Sequence, residues 1–97
     1  MKKIITCIIG YGVVGKRRHF FLERNKEYSV KYISDVLFEK NYQKKNIYYY
    51  KKYLDLLNKK DLDVVFITLP NYLAPIVTKQ ALKKNYTFFV KNHQPKT

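Results

Sequence analysis

Residues 4–15, IITCIIGYGVVG, constrain the fold more than any other segment of this sequence. An apolar run leads directly into three glycines, Gly10, Gly12 and Gly15, and Asp35 follows the last of them by 20 residues, at the end of a second apolar run. A buried strand, a glycine turn, a helix and a second strand that ends in an acid form a βαβ unit. This order and spacing are typical of the dinucleotide-binding fingerprint.

Each part of this pattern has a physical role. Gly10 lets the chain turn sharply out of the strand, and Gly12 has no Cβ, so that a pyrophosphate can approach the backbone. Gly15 lets the following helix pack close to the sheet. The helix N-terminus offers N–H groups and a partial positive charge to the phosphates. The carboxylate of Asp35 is predicted to accept hydrogen bonds from the hydroxyls of the adenosine ribose.

Two other interpretations of this segment stay open. Lys2 and Lys3 followed by an apolar run resemble a secretory signal peptide, but no small-residue cleavage site follows, and Lys16-Arg17-Arg18 comes directly after the glycines. The run is also far shorter than the roughly 18–20 apolar residues that span a bilayer. This first interpretation does not account for Asp35. The second is a glycine-rich turn that has no ligand.

Length and composition bound the organisation of the chain. The 97 residues suffice for one small domain, and a hydrophobic content of 46% in recurring apolar runs favours a globular fold. The single cysteine, Cys7, lies in the first apolar run and is predicted to be a buried, inert thiol. One cysteine excludes a disulfide framework, and no metal site is expected. A cytoplasmic location is the simplest expectation.

The formal net charge of +13 suggests that the chain could bind nucleic acid, since basic chains rich in aromatic residues often do so, and this chain has 10 Tyr. The lysines, however, are scattered over presumed helix faces and loops, and Lys outnumbers Arg, which is better suited to reading phosphates and bases. Lys, Asn, Ile and Tyr are enriched together, as the codons of an AT-rich genome would supply. We therefore expect a solvated basic surface that binds polyanions nonspecifically, without a specific nucleic-acid partner.

Strand and helix signals alternate along the chain. Continuous apolar runs are typical of parallel strands buried on both faces, and residues at helical spacing lie between them. The predicted strands are Ile4–Ile9, Tyr28–Ser34, Ile47–Tyr50, Val64–Thr68 and Thr87–Val90, and the predicted helices cover 13–24, 53–60 and 73–85. The polar stretch up to about Asn46 is interpreted as a loop or weak helix. This alternation predicts an α/β doubly wound parallel sheet of five strands in the order 3-2-1-4-5.

Ligands bind doubly wound sheets at the carboxyl ends of the strands, near the switch between strands one and four. The glycines, Asp35 and the segment Thr68–Asn71 lie at carboxyl ends of predicted strands, so we expect them to converge on one crevice. Asp61 and Asp63 precede strand four and therefore lie at the opposite end of the sheet. We interpret them as solvated carboxylates rather than as a paired acid–base site.

Three segments carry a resemblance to a known family: 9–15, Ile-Gly-Tyr-Gly-Val-Val-Gly; 33–35, Ile-Ser-Asp; and 62–71, Leu-Asp-Val-Val-Phe-Ile-Thr-Leu-Pro-Asn. In this order they resemble the N-terminal half of the Gfo/Idh/MocA oxidoreductases, which include glucose–fructose oxidoreductase and inositol dehydrogenase. The resemblance implies a Rossmann domain over residues 1–97 that binds NAD, or alternatively NADP, for hydride transfer to or from a sugar or cyclitol. The cofactor contacts that it implies are Gly10, Tyr11, Gly12, Val13, Val14, Gly15, Asp35, Thr68, Leu69, Pro70 and Asn71.

The sequence departs from the family pattern toward its C-terminal end. The resemblance implies a histidine three residues after Asn71, where Ala74 stands, and a Glu-Lys-Pro motif after the last strand. The chain reads Lys91-Asn92-His93-Gln94-Pro95 there, and a shift of one residue would put Lys91 at the position of the family's lysine. Lys91 is therefore the catalytic candidate, with an exposed terminal lysine as the alternative. Because the family's substrate domain would follow residue 97, we expect an incomplete dinucleotide-binding domain that is not catalytic alone.

The sequence thus predicts the cofactor domain of an NAD(P)-dependent oxidoreductase, with a dinucleotide as ligand and a sugar-like substrate only where a substrate domain is supplied. NAD is expected rather than NADP, because Val36, and not Arg or Ser, follows Asp35. Lys31 or Lys40 could still compensate for the charge of a 2′-phosphate. No membrane partner is expected. A Rossmann-like nucleotide-binding or regulatory module and a basic nucleic-acid-binding domain remain as alternatives.

Overall fold

A six-stranded sheet with helices on both faces forms the framework of the protein. The structure is a computed structural model that describes residues 2–69, 73–83 and 87–90. Its elements are, in chain order, β1 (Ile4–Ile9), α1 (Val13–Glu23), β2 (Tyr28–Ser34), β3 (Tyr42–Lys44), β4 (Ile47–Tyr50), α2 (Tyr53–Leu56), β5 (Val64–Ile67), α3 (Ala74–Lys83) and β6 (Thr87–Val90). Within these described ranges, no helix has both the length and the apolar character that crossing a membrane requires. The expected α/β Rossmann-like class is confirmed.

The strand order is β3-β4-β2-β1-β5-β6, and neighbouring strands are parallel except for the antiparallel pair β3 and β4. The prediction of five strands is therefore wrong, because β3 adds a sixth strand at the edge and the order becomes 3-4-2-1-5-6 in place of 3-2-1-4-5. The five predicted strands, which are β4, β2, β1, β5 and β6 of the structure, follow one another across the sheet as predicted. The additional strand, Tyr42–Lys44, lies in the polar stretch that the sequence analysis interpreted as a loop or weak helix. All three of its side chains are exposed, so it lacks the apolar alternation that reveals a strand.

A tight hairpin explains why this polar segment pairs with β4. Lys45 and Asn46 form its turn with φ values of +54° and +66°. Turns with positive φ at both central residues match the right-handed twist of the strands that they join. Tyr42 also stacks on Tyr49 of β4, with ring centroids 4.4 Å apart. Cross-strand aromatic pairs contribute roughly 0.2–1 kcal/mol each, so this contact favours the strand pairing.

The core consists of two apolar clusters, one on each face of the sheet. Ile8 and Ile33 belong to the cluster that packs against α1, whereas Cys7 and Ile9 belong to the cluster that packs against α2 and α3. Successive residues of β1 thus point to opposite faces, and both faces are covered, which explains the continuous apolar run. Cys7 is fully buried, as predicted, and burial raises the pKa of its thiol well above the ordinary value.

Two carboxylates fix the amino end of the sheet. Asp63 accepts a hydrogen bond from the N–H of Ile5 at 2.8 Å. Asp61 accepts hydrogen bonds from the ammonium of Lys31 and from the hydroxyl of Tyr32, the latter at 2.7 Å. Both acids are exposed, yet these bonds hold them against β1 and β2 rather than leaving them freely solvated.

Candidate functional site

The turn between β1 and α1 is closed by contacts that exclude a side chain at two glycines. Gly10 has a φ of +99°, and a Cβ there would lie 2.7 Å from the carbonyl oxygen of Thr68. At Gly15, a Cβ would lie 2.0 Å from the carbonyl oxygen of Gly10. These distances are far inside van der Waals contact, so any larger residue would push the helix and the turn apart. α1 therefore begins directly against the turn.

Gly12 differs from the other two glycines because the space beside it is open. Among the described residues other than Gly12 itself and its two chain neighbours, no heavy atom lies within 4 Å of the position that its Cβ would occupy. Gly12 is also the N-cap of α1, and no side chain in the described part of the chain caps this helix end. The first N–H groups of a helix have no acceptor within it and favour an anion. A phosphate can thus approach the backbone at Gly12.

Asp35 lies directly after β2, and its carboxylate is hydrogen-bonded to the glycine turn. Its Oδ2 accepts a hydrogen bond from the N–H of Tyr11 at 2.7 Å, and its Oδ1 accepts one from the N–H of Leu37 at 2.8 Å. The N–H of Asp35 donates to the carbonyl oxygen of Tyr50 at 3.1 Å. The residue is half-buried. Because each carboxylate oxygen can accept more than one hydrogen bond, both can also accept from the hydroxyls of a ligand.

Thr68 and Leu69 approach the same turn from the end of β5. The N–H of Thr68 donates to the carbonyl oxygen of Ile9 at 2.9 Å, and its hydroxyl donates to the carbonyl oxygen of Gly10. Thr68 is buried, whereas Leu69 is half-buried. Thr68 therefore holds the turn against the neighbouring strand. Leu69 lines a cavity beside this turn.

A cavity of about 130 Å³ lies between the ends of β1 and β2, the β4–α2 connection and α3. Gly10 and Asp35 line it, together with three apolar side chains that are at least partly exposed. Val36, Leu73 and Ile76 are 73%, 37% and 55% exposed. Apolar side chains that converge on a concave surface beside a charged group are typical of a ligand site. The cavity thus offers an apolar slot next to a hydrogen-bonding carboxylate.

Most of the residues that line this cavity are not evident from the sequence. Lys51 lines it from the β4–α2 connection, and Leu73 and Ile76 line it from α3 and the residue before it. In the sequence, Leu73 and Ile76 share the helical spacing of Val77, which is buried, so spacing alone cannot show which of the three are exposed to a ligand. Val36 is the lining residue that the sequence could indicate, because it is an apolar residue that directly follows the acid in a turn.

The side chain of Tyr11 connects the glycine turn to α1. Its hydroxyl lies 2.6 Å from Nδ1 of His19, whose Nε2 lies 2.7 Å from Oε1 of Glu23. Burial lowers the pKa of His19, and the Glu23 carboxylate partly opposes this shift. Burial also raises the pKa of Tyr11, with Tyr49 and Glu23 adding to the effect. These contacts hold Tyr11 in place and therefore position its N–H group, which donates a hydrogen bond to Asp35.

The remaining predicted site residues are less constrained by the structure. Val13 and Val14 begin α1, where Val13 is exposed and Val14 is half-buried. Pro70, Asn71 and Lys91 lie outside the described residues. Within the described ranges, no group of three or more His, Cys, Asp or Glu side chains is arranged to hold a metal ion. The structure thus brings together the glycine turn, Asp35, Thr68 and Leu69 at one end of the sheet.

Comparison with solved structures shows the same fold in an NAD-binding protein and in two enzymes, among others. An NAD-binding protein from Listeria innocua is 23% identical with a TM-score of 0.78, over 92% of this chain and 27% of that protein. A homoserine dehydrogenase from S. aureus is 19% identical with a TM-score of 0.78, over 95% of this chain and 27% of that protein. A mutant 3-ketoreductase from Actinomadura kijaniata in complex with TDP-benzene and NADP is 21% identical with a TM-score of 0.76, over 92% of this chain and 30% of that protein.

At these identities the likeness establishes the fold alone, and the chain spans between 27% and 30% of the length of these three proteins. No curated protein matches the sequence. The model of the oxidoreductase family with an NAD-binding Rossmann fold, Gfo/Idh/MocA, matches residues 4–91. This span includes the glycine turn, Asp35 and Thr68. The chain therefore belongs to the Gfo/Idh/MocA oxidoreductase family, within which it is an NAD-binding Rossmann domain.

Proposed function

We propose that the chain binds NAD at the carboxyl ends of β1, β2 and β5. The observation that carries this proposal is the juxtaposition of the apolar cavity, the Asp35 carboxylate and the open side of Gly12. Each of these three features suits a different chemical part of one dinucleotide. The family match supports the same class of ligand.

The proposed contacts divide the cofactor into three parts. The adenine ring lies in the cavity against Val36 and Ile76, which are apolar and exposed. The hydroxyls of the adenosine ribose donate hydrogen bonds to Asp35, whose two oxygens are held by peptide N–H groups. The pyrophosphate lies over Gly12, where the N–H groups of Val13 and Val14 in the first turn of α1 are available to it.

For the nicotinamide half, the family resemblance supports our proposal. We place Pro70 and Asn71 beside it and propose Lys91 as the catalytic residue. Nicotinamide supplies the hydride chemistry when bound, and the described residues hold and orient the adenosine and pyrophosphate. We propose a sugar or cyclitol as the substrate of the whole enzyme; one of the structural relatives is a 3-ketoreductase.

We further propose that NAD is preferred over NADP. The Asp35 carboxylate repels a 2′-phosphate, and the neighbouring Val36 side chain offers no hydrogen-bond donor. Lys31, which the sequence analysis considered as a compensating cation, instead donates to Asp61 at the amino end of the sheet. One of the structural relatives was solved with NADP, so the ratio of the two affinities has to be measured.

Substitution of Gly12 tests the proposal. Gly12→Val places a branched side chain where the pyrophosphate is proposed to lie, and the open space around it leaves the fold intact. Isothermal titration calorimetry should show NAD binding by the parent protein and none by the folded variant. Phe20→Val, on the exposed side of α1, is the matched control and should bind as the parent does. Equal NAD affinity of Gly12→Val and the parent would refute the proposed site.

A second pair of variants tests the position of the adenine ring. Ile76 and Leu82 both belong to α3 and are 55% and 56% exposed, but only Ile76 is among the described residues that line the cavity. Ile76→Asn should weaken NAD binding by about 1 kcal/mol, because it removes apolar contact with the ring. Leu82→Asn should leave the affinity unchanged. If the two variants bind NAD equally well, adenine does not occupy this cavity.

A further inference from the structure

Lys51, at the connection between β4 and α2, is fixed across the turn that follows Asp35. Its ammonium donates hydrogen bonds to the carbonyl oxygen of Phe38 at 2.8 Å and to that of Val36 at 3.2 Å. Its backbone N–H donates to Oδ1 of Asn41 at 2.8 Å. Both the main chain and the side chain of Lys51 are therefore held in place, although the residue is exposed.

This arrangement puts a cation beside the proposed ribose position. Lys51, Asp35 and Val36 line the same cavity. A lysine ammonium has three N–H donors, and the two carbonyl oxygens engage two of them, which leaves the third for a ligand. A compact ammonium is an effective partner for phosphate. The side of the cavity that holds the Asp35 carboxylate, which is proposed to favour NAD, thus also holds the Lys51 ammonium, which can bind phosphate.

We propose that Lys51 sets how strongly the site discriminates against NADP, by donating to the 2′-phosphate and offsetting its repulsion from Asp35. This inference rests on the proposed function, since it assigns one more residue to the same dinucleotide site. With NAD bound, the ammonium only braces the turn through the carbonyl groups of Val36 and Phe38. The chain therefore binds NADP measurably, although more weakly than NAD.

A purely structural role for Lys51 makes a different prediction. If the ammonium only held the turn in shape, its removal would disturb Asp35 and weaken both cofactors by the same factor. A contact with the 2′-phosphate affects NADP alone, because NAD carries a hydroxyl at that position. The ratio of the two affinities therefore separates the two roles.

The experiment titrates NAD and NADP separately into the 97-residue protein at one ionic strength. Lys51→Met should weaken NADP binding by about tenfold or more, since a charge-assisted hydrogen bond is lost, and should weaken NAD by less than about threefold. Lys52→Met is the matched control, because Lys52 is exposed, adjacent and of the same charge. It should change both affinities by the same small factor. Lys51→Arg keeps the cation and should retain NADP binding.

The outcomes distinguish this inference from the proposed function. An unchanged ratio of NAD to NADP affinity in Lys51→Met, with NAD still bound by the parent, overturns the role of Lys51 alone. A parent protein that binds neither cofactor overturns the proposed function and this inference with it. If Lys51→Met does not fold, Lys51→Gln keeps N–H donors for the two carbonyl oxygens without the charge. The same selective loss of NADP is then expected.

Discussion

Asp35 and Asp61, which lie at opposite ends of the parallel sheet, accept hydrogen bonds from different kinds of donor. At the carboxyl end, Asp35 accepts hydrogen bonds from the peptide N–H groups of Tyr11 and Leu37. At the amino end, Asp61 accepts hydrogen bonds from the ammonium of Lys31 and the hydroxyl of Tyr32. The hydrogen bond from Lys31 holds the pKa of Asp61 below its ordinary value, although burial partly opposes it.

This difference separates a carboxylate suited to binding from one suited to holding the fold. Peptide donors orient Asp35 without cancelling its charge, so it can still attract the hydroxyls of a ligand. The ammonium of Lys31 neutralises Asp61 and ties the segment before β5 to β2. The two side chains are chemically identical. Their roles follow from strand polarity, because Asp35 comes after a parallel strand and Asp61 comes before one.

The largest expected effect belongs to the tight contact at the carboxyl end. Gly15→Ala places a Cβ 2.0 Å from the carbonyl oxygen of Gly10, in a turn that Thr68 holds from the other side. Because the turn cannot yield freely, we expect a loss of about 3 kcal/mol of folding free energy, measured by urea denaturation. Gly12→Ala is the control and should change stability by less than about 1 kcal/mol. Equal stability of the two variants would contradict the close packing of α1 on the turn.

Exchanging each acid for its amide tests the comparison directly. Asp35→Asn should weaken NAD binding by about 2 kcal/mol, roughly thirtyfold, because it removes a charged acceptor and sets an amide N–H₂ against a peptide N–H donor. Asp61→Asn, at the far end of the sheet, should leave the NAD affinity unchanged. Calorimetric titration of both variants measures the two effects. Comparable losses in both would mean that overall charge, rather than position, governs binding.

The glycine turn and Asp35 could be predicted from the sequence because their constraints are local. Gly10 and Gly15 meet backbone or side-chain atoms that leave no room for a Cβ, and such positions are visible in a sequence as glycines at fixed spacing. The apolar runs of β1 and β5 likewise follow from burial on both faces of the sheet. Local steric constraints and burial therefore suffice to predict the glycine turn and the strands that position the site.

Features that depend on contacts between distant segments could not be predicted in this way. The β3 strand rests on the stacking of Tyr42 against Tyr49, which a polar, exposed stretch does not reveal. Lys51 reaches the cavity only because β4 lies beside β2. On α3, Ile76 and Val77 have the same apolar character and both line the cavity, but Ile76 is 55% exposed whereas Val77 is 2% exposed and belongs to the core. Helical spacing identifies an apolar residue but not which surface covers it.

The smallest expected effect belongs to the amino end, where Asp61→Asn should lower stability by about 0.5 kcal/mol at pH 7, the size typical of an exposed ion pair. Asn keeps an oxygen that can accept from the hydroxyl of Tyr32, so the change isolates the bond to Lys31. The folded-state pKa of Asp61 is lowered, so its contribution is present above the unfolded pKa of about 3.9 and is lost as the pH falls through the folded value. Denaturation series from pH 7 to pH 2 should show the two proteins converging below about pH 4.

A double-mutant cycle with Lys31→Met isolates the pair from the rest of the surface. If Asp61 acts through the ammonium, Asp61→Asn should cost no further stability once Lys31 has been replaced. The NAD affinity should stay constant through all four proteins, because every change lies at the amino end. A pH-independent loss in Asp61→Asn, or one that persists in the Lys31→Met background, would assign the effect to packing instead of charge. The contrast with Asp35 would then rest on position alone and not on the kind of donor that each carboxylate accepts.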